Sequence, residues 1–371
     1  MTGQHQFLED SPSYITHIGG RAPFPTAVNI ELTTRCNLRC IMCPKSAGEP
    51  RTTPDRTMDR DVFEAILRDI VPRVCRVDVV GDGEVFLAAD LLEELLIGCR
   101  RLGVLVNICT NGVLMGERTA RMLVEHGLAD MNISLDAVRP ETFEKIRGAS
   151  LQRILKNIAF LNGLKDDAGT TSPRLHLSMV GMLMNIDEFP DLVRLAGDIR
   201  ASSVTLQAMG EFETVRHQSV FMREPALGRK RYLEGKAIGD ALGIVVGLWP
   251  ESQFDEAAQD GDRPRQPTMS GIILRKDCEF PWDVPYFTTT GDVLPCCAMT
   301  PMGNLKQESF DAIWDGARYR DLRRAIRSTD PPSACVTCPG RGWYMPTIPA
   351  GRIQLGSDDR QLGLGWYKPE V

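Results

Sequence analysis

Cys36, Cys40 and Cys43 stand in the run Arg35-Cys36-Asn37-Leu38-Arg39-Cys40-Ile41-Met42-Cys43-Pro44, a C-x3-C-x2-C spacing that offers three thiolates and no fourth. Three thiolates on a cubane iron–sulfur cluster leave one iron with an open position, and an open iron is a place for chemistry. A structural zinc site closes four ligands and usually pairs two C-x2-C knuckles. A disulfide framework belongs to small secreted chains. Neither fits this spacing in a chain of 371 residues.

A second group lies near the other end: Cys278, the pair Cys296-Cys297, and Cys335-x2-Cys338. Gly291-Asp292-Val293-Leu294-Pro295-Cys296 predicts a hairpin that presents Cys296, because Gly-Asp marks a turn between extended runs. Four thiols at 278, 296, 335 and 338 suit an iron–sulfur cluster or a four-thiolate zinc site, and ligand count leaves both open. Cys75 falls at a strand start and Cys99 on an apolar helix face, so both are expected as small buried hydrophobes.

These side chains need elements to position them. Strand-like runs occupy 27–33, 74–80, 104–109, 130–135, 174–180 and 202–207, and helix-like stretches occupy 59–70, 91–102, 116–126, 151–164 and 187–197. In 91–102 the period places Leu92, Leu95, Leu96 and Cys99 on one face. Six strands alternating with helices predict a parallel α/β architecture, although periodicity alone does not separate an open sheet from a barrel. Residues 1–26 are an irregular lead-in and 27–210 hold the alternating units. Residues 211–275 break the rhythm with charged and Pro/Gly-rich segments around a helical stretch near 226–242 and an apolar run at 243–249. They are expected to be a connector or to line the substrate site. Residues 276–340 form the cysteine-bearing module, and 341–371 an irregular tail whose Trp366 and Tyr367 could stack on a sugar or pack the terminus down.

Composition narrows the class. Apolar content of 43% and charged content of 25% are ordinary for a globular protein. A net charge of −6 with no basic block argues against nucleic acid as the main partner. No apolar run is long enough to span a bilayer, and the first ten residues lack a signal-peptide pattern. Eleven cysteines in such a chain point to metal or redox chemistry, and the expected compartment is the cytoplasm.

The run Glu31-Leu32-Thr33-Thr34-Arg35-Cys36-Asn37-Leu38-Arg39-Cys40-Ile41-Met42-Cys43 resembles the signature of the radical S-adenosylmethionine (radical SAM) superfamily. The resemblance implies a 4Fe–4S cluster on Cys36, Cys40 and Cys43 whose open iron chelates the amino and carboxylate groups of S-adenosylmethionine. It further implies reductive cleavage to methionine and a 5′-deoxyadenosyl radical, which abstracts hydrogen from a substrate. Met42 stands where the superfamily often has an aromatic residue, and a thioether packs on an adenine edge much as a ring would. Gly81-Asp82-Gly83-Glu84 resembles the superfamily's G-G-E or G-x-G-E segment, with Val85 in place of the usual proline. By that resemblance Gly81 and Gly83 allow close backbone approach and Glu84 accepts from the ammonium of S-adenosylmethionine. Thr110-Asn111-Gly112 and Ser134-Leu135-Asp136-Ala137 resemble strand-end segments, which implies Asn111, Ser134 and Asp136 as further cofactor-binding residues. Asn111 and Asp136 suit turn or cap roles equally well.

The C-terminal cysteines, with Gly303-Asn304-Leu305, Ile313-Trp314 and a helical stretch at 317–326, resemble the SPASM/twitch module. Four ligands (Cys278, Cys296, Cys335 and Cys338) imply its twitch form, with one auxiliary 4Fe–4S cluster. The implied fold is α/β, a partial (β/α)6 TIM-like barrel with a small C-terminal twitch/SPASM domain and active groups at the C-terminal ends of the strands. Twitch-type relatives include dehydrogenases and carbinol epimerases of aminoglycoside and sugar biosynthesis. The expected activity is hydrogen abstraction from a carbinol C–H of a sugar, aminocyclitol or glycosylated natural product, leading to epimerisation ahead of oxidation to a ketone. Two spare thiols favour that order: Cys109 at the end of a barrel strand and Cys297 beside the auxiliary cluster, either of which could return a hydrogen atom. The expected electron donor is a flavodoxin or ferredoxin. Too little chain precedes the first strand for a peptide-binding winged helix, which sets peptide modification third. A non-catalytic zinc or electron-transfer protein is the remaining alternative.

Overall fold

The computed structural model describes residues 21–46, 54–210, 214–249, 278, 280–297, 299–326, 332 and 335. Seven parallel strands stand in chain order: β1 (Ala27–Ile30), β2 (Arg76–Val79), β3 (Leu105–Thr110), β4 (Asp130–Ser134), β5 (Arg174–Gly181), β6 (Ala201–Ala208) and β7 (Val245–Trp249). Each pairs in parallel with the one before it. An order that never reverses, with right-handed crossovers, places all the connecting helices on one face. This is the winding of a barrel wall, not of a doubly wound sheet, whose order reverses at a switch point. The wall is open, because β7 pairs only with β6 among the described strands.

Helices α1 (Arg60–Asp69), α2 (Ala89–Leu102), α3 (Glu117–Glu125), α4 (Pro140–Arg147), α5 (Leu151–Asp167), α6 (Phe189–Asp198), α7 (Val220–Arg223) and α8 (Pro225–Leu242) connect the strands. The stripe expected on α2 is buried as Leu92, Leu95, Leu96 and Cys99, and Gly103 ends that helix in the left-handed region at φ 71°. Helix α4 falls outside the expected helical stretches, although Pro140 in its first turn and Gly148 just past its end are ordinary boundary signals. Strands send alternate residues to opposite faces. Towards the helices go Val77, Val106, Ile108, Met131, Ile133, Leu177 and Val204, all buried. Towards the lumen go Arg76, Asp78, Asn107, Cys109, Asp130, Asn132, Ser134, His176, Ser178, Ser203 and Thr205. The packed lumen of a closed barrel is filled by branched apolar side chains; this one is mostly polar, with Leu105, Val180, Val245 and Trp249 sharing the face by register.

The expected connector at 211–275 is corrected in part. Residues 225–242 form α8 and 245–249 form β7, a further helix and parallel strand of the wall, with Val246 and Leu248 buried. The helical stretch and the apolar run expected there are this helix and strand, and the charged segments on either side mask only that they continue the alternating rhythm. Cys75 is also corrected: it is exposed, in the bend leading into β2, where its backbone N–H donates to the Thr26 carbonyl at 2.7 Å and its carbonyl accepts from the Leu105 N–H at 3.0 Å.

The C-terminal module joins the same sheet. Strand β8 (Tyr286–Phe287) pairs in parallel with β1, and β9 (Asp292–Leu294) and β10 (Gly303–Asn304) continue antiparallel. The expected hairpin is present, with Gly291 at its turn at φ 87°. Phe287, Phe310, Trp314 and Tyr319 extend the hydrophobic core of the barrel into the module, and the Thr26 N–H and hydroxyl both donate to Asp283 at 2.8 Å. No helix among the described residues is long and apolar enough to cross a membrane. Cys338, the tail 341–371 and all of 250–277 lie outside the described residues.

Candidate active site

The cysteine loop leaves β1 through a fixed start. Thr33 and Thr34 donate their hydroxyls to the carbonyls of Arg56 at 3.0 Å and Pro54 at 2.9 Å. Further along, the Ile41 N–H donates to the Ile146 carbonyl at 3.0 Å, tying the loop to the end of α4, and the Cys43 N–H turns back to the Cys40 carbonyl at 3.1 Å. Cys40 is buried, and Cys36 and Cys43 are half-buried. Burial pushes the Cys40 thiol up to about 11; Arg147 opposes this, and Asp136, Cys43 and Cys36 add to it. Burial raises Cys36 as well, with Lys45 among the groups opposing it.

Two cations therefore flank the loop. Arg147, the last residue of α4, is ion-paired with Asp136 and buried. The Lys45 ammonium donates to the Thr34 carbonyl and to Asp55. Among the described residues no three His, Cys, Asp or Glu side chains converge as they would on a single metal ion. The donor chemistry here is three soft thiols within electrostatic reach of one another, next to fixed positive charge. That set fits a cluster which spreads its thiolates and keeps one iron open.

The turn after β2 lies directly on this loop. The Glu84 N–H donates to the Arg35 carbonyl at 2.7 Å, and the Asp82 N–H to Glu31 Oε1 at 2.9 Å. A Cβ on Gly83 would sit 2.6 Å from the Arg35 carbonyl oxygen and closer still to that of Thr33, so only glycine permits the contact. Glu84 is buried, and its carboxylate accepts from the Asn111 N–H at 2.8 Å and from the Thr110 hydroxyl, joining the ends of β2 and β3.

The other expected cofactor residues cluster around the same rim. Asn111 donates to Asn37 Oδ1 at 2.9 Å and accepts from the Val113 N–H at 3.0 Å, bridging the cysteine loop to the end of β3. Ser134 ends β4 on the lumen side, half-buried and paired with Ser178 of β5. Asp136 is wholly buried, and its carboxylate is taken by Arg147 and by the Val180 N–H at 2.7 Å. It acts on the cysteine loop through Arg147.

Cys109, the penultimate residue of β3, opens onto the lumen. Its Sγ accepts from Asn132 Nδ2 at 3.8 Å, and that amide also reaches Ser178 Oγ at 3.3 Å. Enclosure in the lumen pushes the thiol up to about 11, so it stays protonated at neutral pH. Deeper in, Asp78 takes Arg76 at 2.9 Å and Asn107 at 2.8 Å, and His176 bridges Ser203 at 2.8 Å and Asp130 at 2.7 Å. Motif matching passes over this polar lining, but Val-Asn-Ile-Cys at 106–109 and Asp-Met-Asn-Ile-Ser at 130–134 each alternate with the period of two that could have revealed it.

In the C-terminal module, Cys278 and Cys335 pack against one small core of Trp282, Leu322 and Ile326. Cys296 follows β9 half-buried, and Cys297 beside it is exposed. Neither Tyr286 nor Arg147 stands in a motif; both enter the site only through the fold.

Comparison with known proteins adds independent findings. The profile of the Radical SAM superfamily matches residues 30–196, and that of SPASM, an iron–sulfur cluster-binding domain, matches 278–339. The chain is 28% identical over 330 residues to a PqqA peptide cyclase of Streptomyces rochei, a match covering 85% of this chain and 82% of that protein. It is 33% identical over 144 residues to a GTP 3′,8-cyclase of Limosilactobacillus fermentum, covering 37% of this chain but only 42% of the relative's length. In fold it resembles Streptococcus suis SuiB bound to S-adenosylmethionine, with a TM-score of 0.64 and 19% identity over 87% of this chain and 72% of that one.

Proposed function

The chain belongs to the radical SAM superfamily and is a radical SAM enzyme with a SPASM domain; from that premise we propose that it abstracts hydrogen from a carbinol C–H of a sugar, aminocyclitol or glycosylated natural product and inverts that carbon. Its cofactors are a 4Fe–4S cluster bound with S-adenosylmethionine and an auxiliary 4Fe–4S cluster. When bound, the cluster carrying S-adenosylmethionine would supply the radical that removes a hydrogen atom from the substrate carbon. In this reading Cys36, Cys40 and Cys43 hold the first cluster. Cys278, Cys296, Cys335 and Cys338 hold the second. Gly81, Gly83, Glu84, Asn111 and Ser134 line the S-adenosylmethionine site, with Asp136 acting through Arg147.

The observation that carries the substrate class is the polar lumen. A hydroxylated ring loses many hydrogen bonds with water on entry, and each must be replaced for binding to be favourable. Asn132, Ser134, Ser178 and Thr205 line the upper part of the lumen and suit that exchange, whereas a lumen of Val and Ile would not. Cys109 among them supports inversion over oxidation, because its thiol is open to the lumen and stays protonated at neutral pH, as a hydrogen-atom donor must. Giving that hydrogen to the opposite face of the substrate radical leaves a Cys109 thiyl. One electron and one proton from the external donor, a flavodoxin or ferredoxin, restore the thiol. Cys297 is the second candidate donor.

The test is anaerobic turnover in deuterated water against a panel of sugars, aminocyclitols and glycosylated natural products. Inversion gives a product with one deuterium and no other change in mass, lost in Cys109→Ala. A product two mass units lighter, formed equally by Cys109→Ala and Cys297→Ala, would replace inversion by oxidation. Peptide modification is a second reading, favoured by the extent of the match to the PqqA peptide cyclase. Turnover of peptides with every carbohydrate-like compound inert would establish it instead.

A further inference from the structure

Tyr286 stands on β8, the module's strand, in register with Asn29 of β1. It is nearly buried, and its hydroxyl donates to Glu31, the residue that follows β1. Glu31 is itself buried and passes the contact on: its Oε1 accepts from the Asp82 N–H at 2.9 Å. Gly81 closes against the same pair. A Cβ there would lie 2.7 Å from Glu31 Oε1 and 3.0 Å from the Tyr286 hydroxyl, and its φ of 153° disfavours any other residue. The turn 81–84 is thus gripped from two sides, by the cysteine loop at Gly83 and Glu84, and by the C-terminal module through Tyr286 and Glu31. The motif supplies the first grip. The second exists only because β8 joins the sheet beside β1.

We propose that Tyr286 is a positioning residue for S-adenosylmethionine: through Glu31 it holds the turn 81–84 in its binding shape, so the C-terminal module completes the cofactor site of the barrel. The proposal rests on the assignment of 81–84 to that cofactor. A carboxylate with a buried Tyr donor on one side and a backbone N–H on the other has little freedom to turn. Without the phenol, Glu31 is released towards Asp82 and the turn loses its backing.

The experiment titrates S-adenosylmethionine into the reduced, fully loaded protein and follows the change it causes in the electron paramagnetic resonance signal of the Cys36/Cys40/Cys43 cluster. Tyr286→Phe keeps the ring and removes the donor. It should bind about tenfold more weakly, with iron content and the auxiliary-cluster signal unchanged. Glu31→Ala should weaken binding similarly, and the double variant should be no weaker than either single one, since both break one chain of contacts. Glu31→Gln, which keeps an oxygen for the Asp82 N–H, should stay within about twofold of the parent. Unchanged affinity in Tyr286→Phe, or additive losses in the double variant, overturns the proposal. If Tyr286→Phe fails to hold its clusters, Glu31→Ala decides alone, and parental affinity there also overturns it. A parent protein whose signal does not respond to S-adenosylmethionine overturns the assignment of the turn itself, an outcome distinct from all of these.

Discussion

Glu84 does two jobs whose energies oppose each other. Its carboxylate ties β2 to β3 through Thr110 and Asn111, yet its burial raises its pKa in the folded protein. A carboxyl group with a raised folded pKa costs stability when ionised. The cost is fully present above the folded pKa and vanishes once pH falls below the unfolded value of about 4.3. Glu84→Gln keeps one acceptor oxygen and removes the charge. In urea unfolding of the cluster-free protein, the variant should therefore gain most on the parent at neutral pH and above, and the difference should close as pH falls towards 4. A gap that does not change with pH would show that the carboxylate is not paying for burial. Asp136 has the partner Glu84 lacks: Arg147 is a buried cation ion-paired with it and within electrostatic reach of Cys40 and Cys43, and each charge of the pair compensates the other.

At the scale of elements, the turn after β2 is where two loops meet with no space between them. Gly83→Ala places a methyl group against the Arg35 and Thr33 carbonyls and forces the loops apart. S-adenosylmethionine binding should fall by about tenfold or more, with helix content by circular dichroism unchanged. Wild-type affinity would show that the turn can shift without consequence. The turn itself was legible, because glycine turns are local properties of a sequence; the spacing of the cysteines is equally local, though Cys338 lies outside the described residues. The first six strands and six of the eight connecting helices, α8 among them, were legible for the same reason. Strand β7 was missed because the charged stretches around it break the alternation on which recognition depends. The polar lumen was legible only as an alternation along β3 and β4, and the Tyr286–Glu31 contact was out of reach, because it needs to know which strand lies beside β1.

At the scale of the whole molecule, one sheet and one core run through both cluster-binding regions. Two thiols of the second site, Cys278 and Cys335, nevertheless pack in a small cluster of their own around Trp282, Leu322 and Ile326. Cys278→Ala/Cys296→Ala should accordingly hold about four iron atoms per chain in place of about eight, with the spectrum of the Cys36/Cys40/Cys43 cluster retained. Loss of both clusters together would mean that the module cannot stay docked without its own. Pairing β8 with β1 also imposes an order in time. The strands in register through Asn29 and Tyr286 carry the same separation as Thr26 and Asp283, 257 residues. During synthesis that interval lasts on the order of 10–50 s, and throughout it the open edge of β1 is exposed to pairing with other chains. A chaperone that shields an unpaired strand edge would be most useful to this protein in that window, and the three cysteines beyond β1 gain their full surroundings only when the window closes.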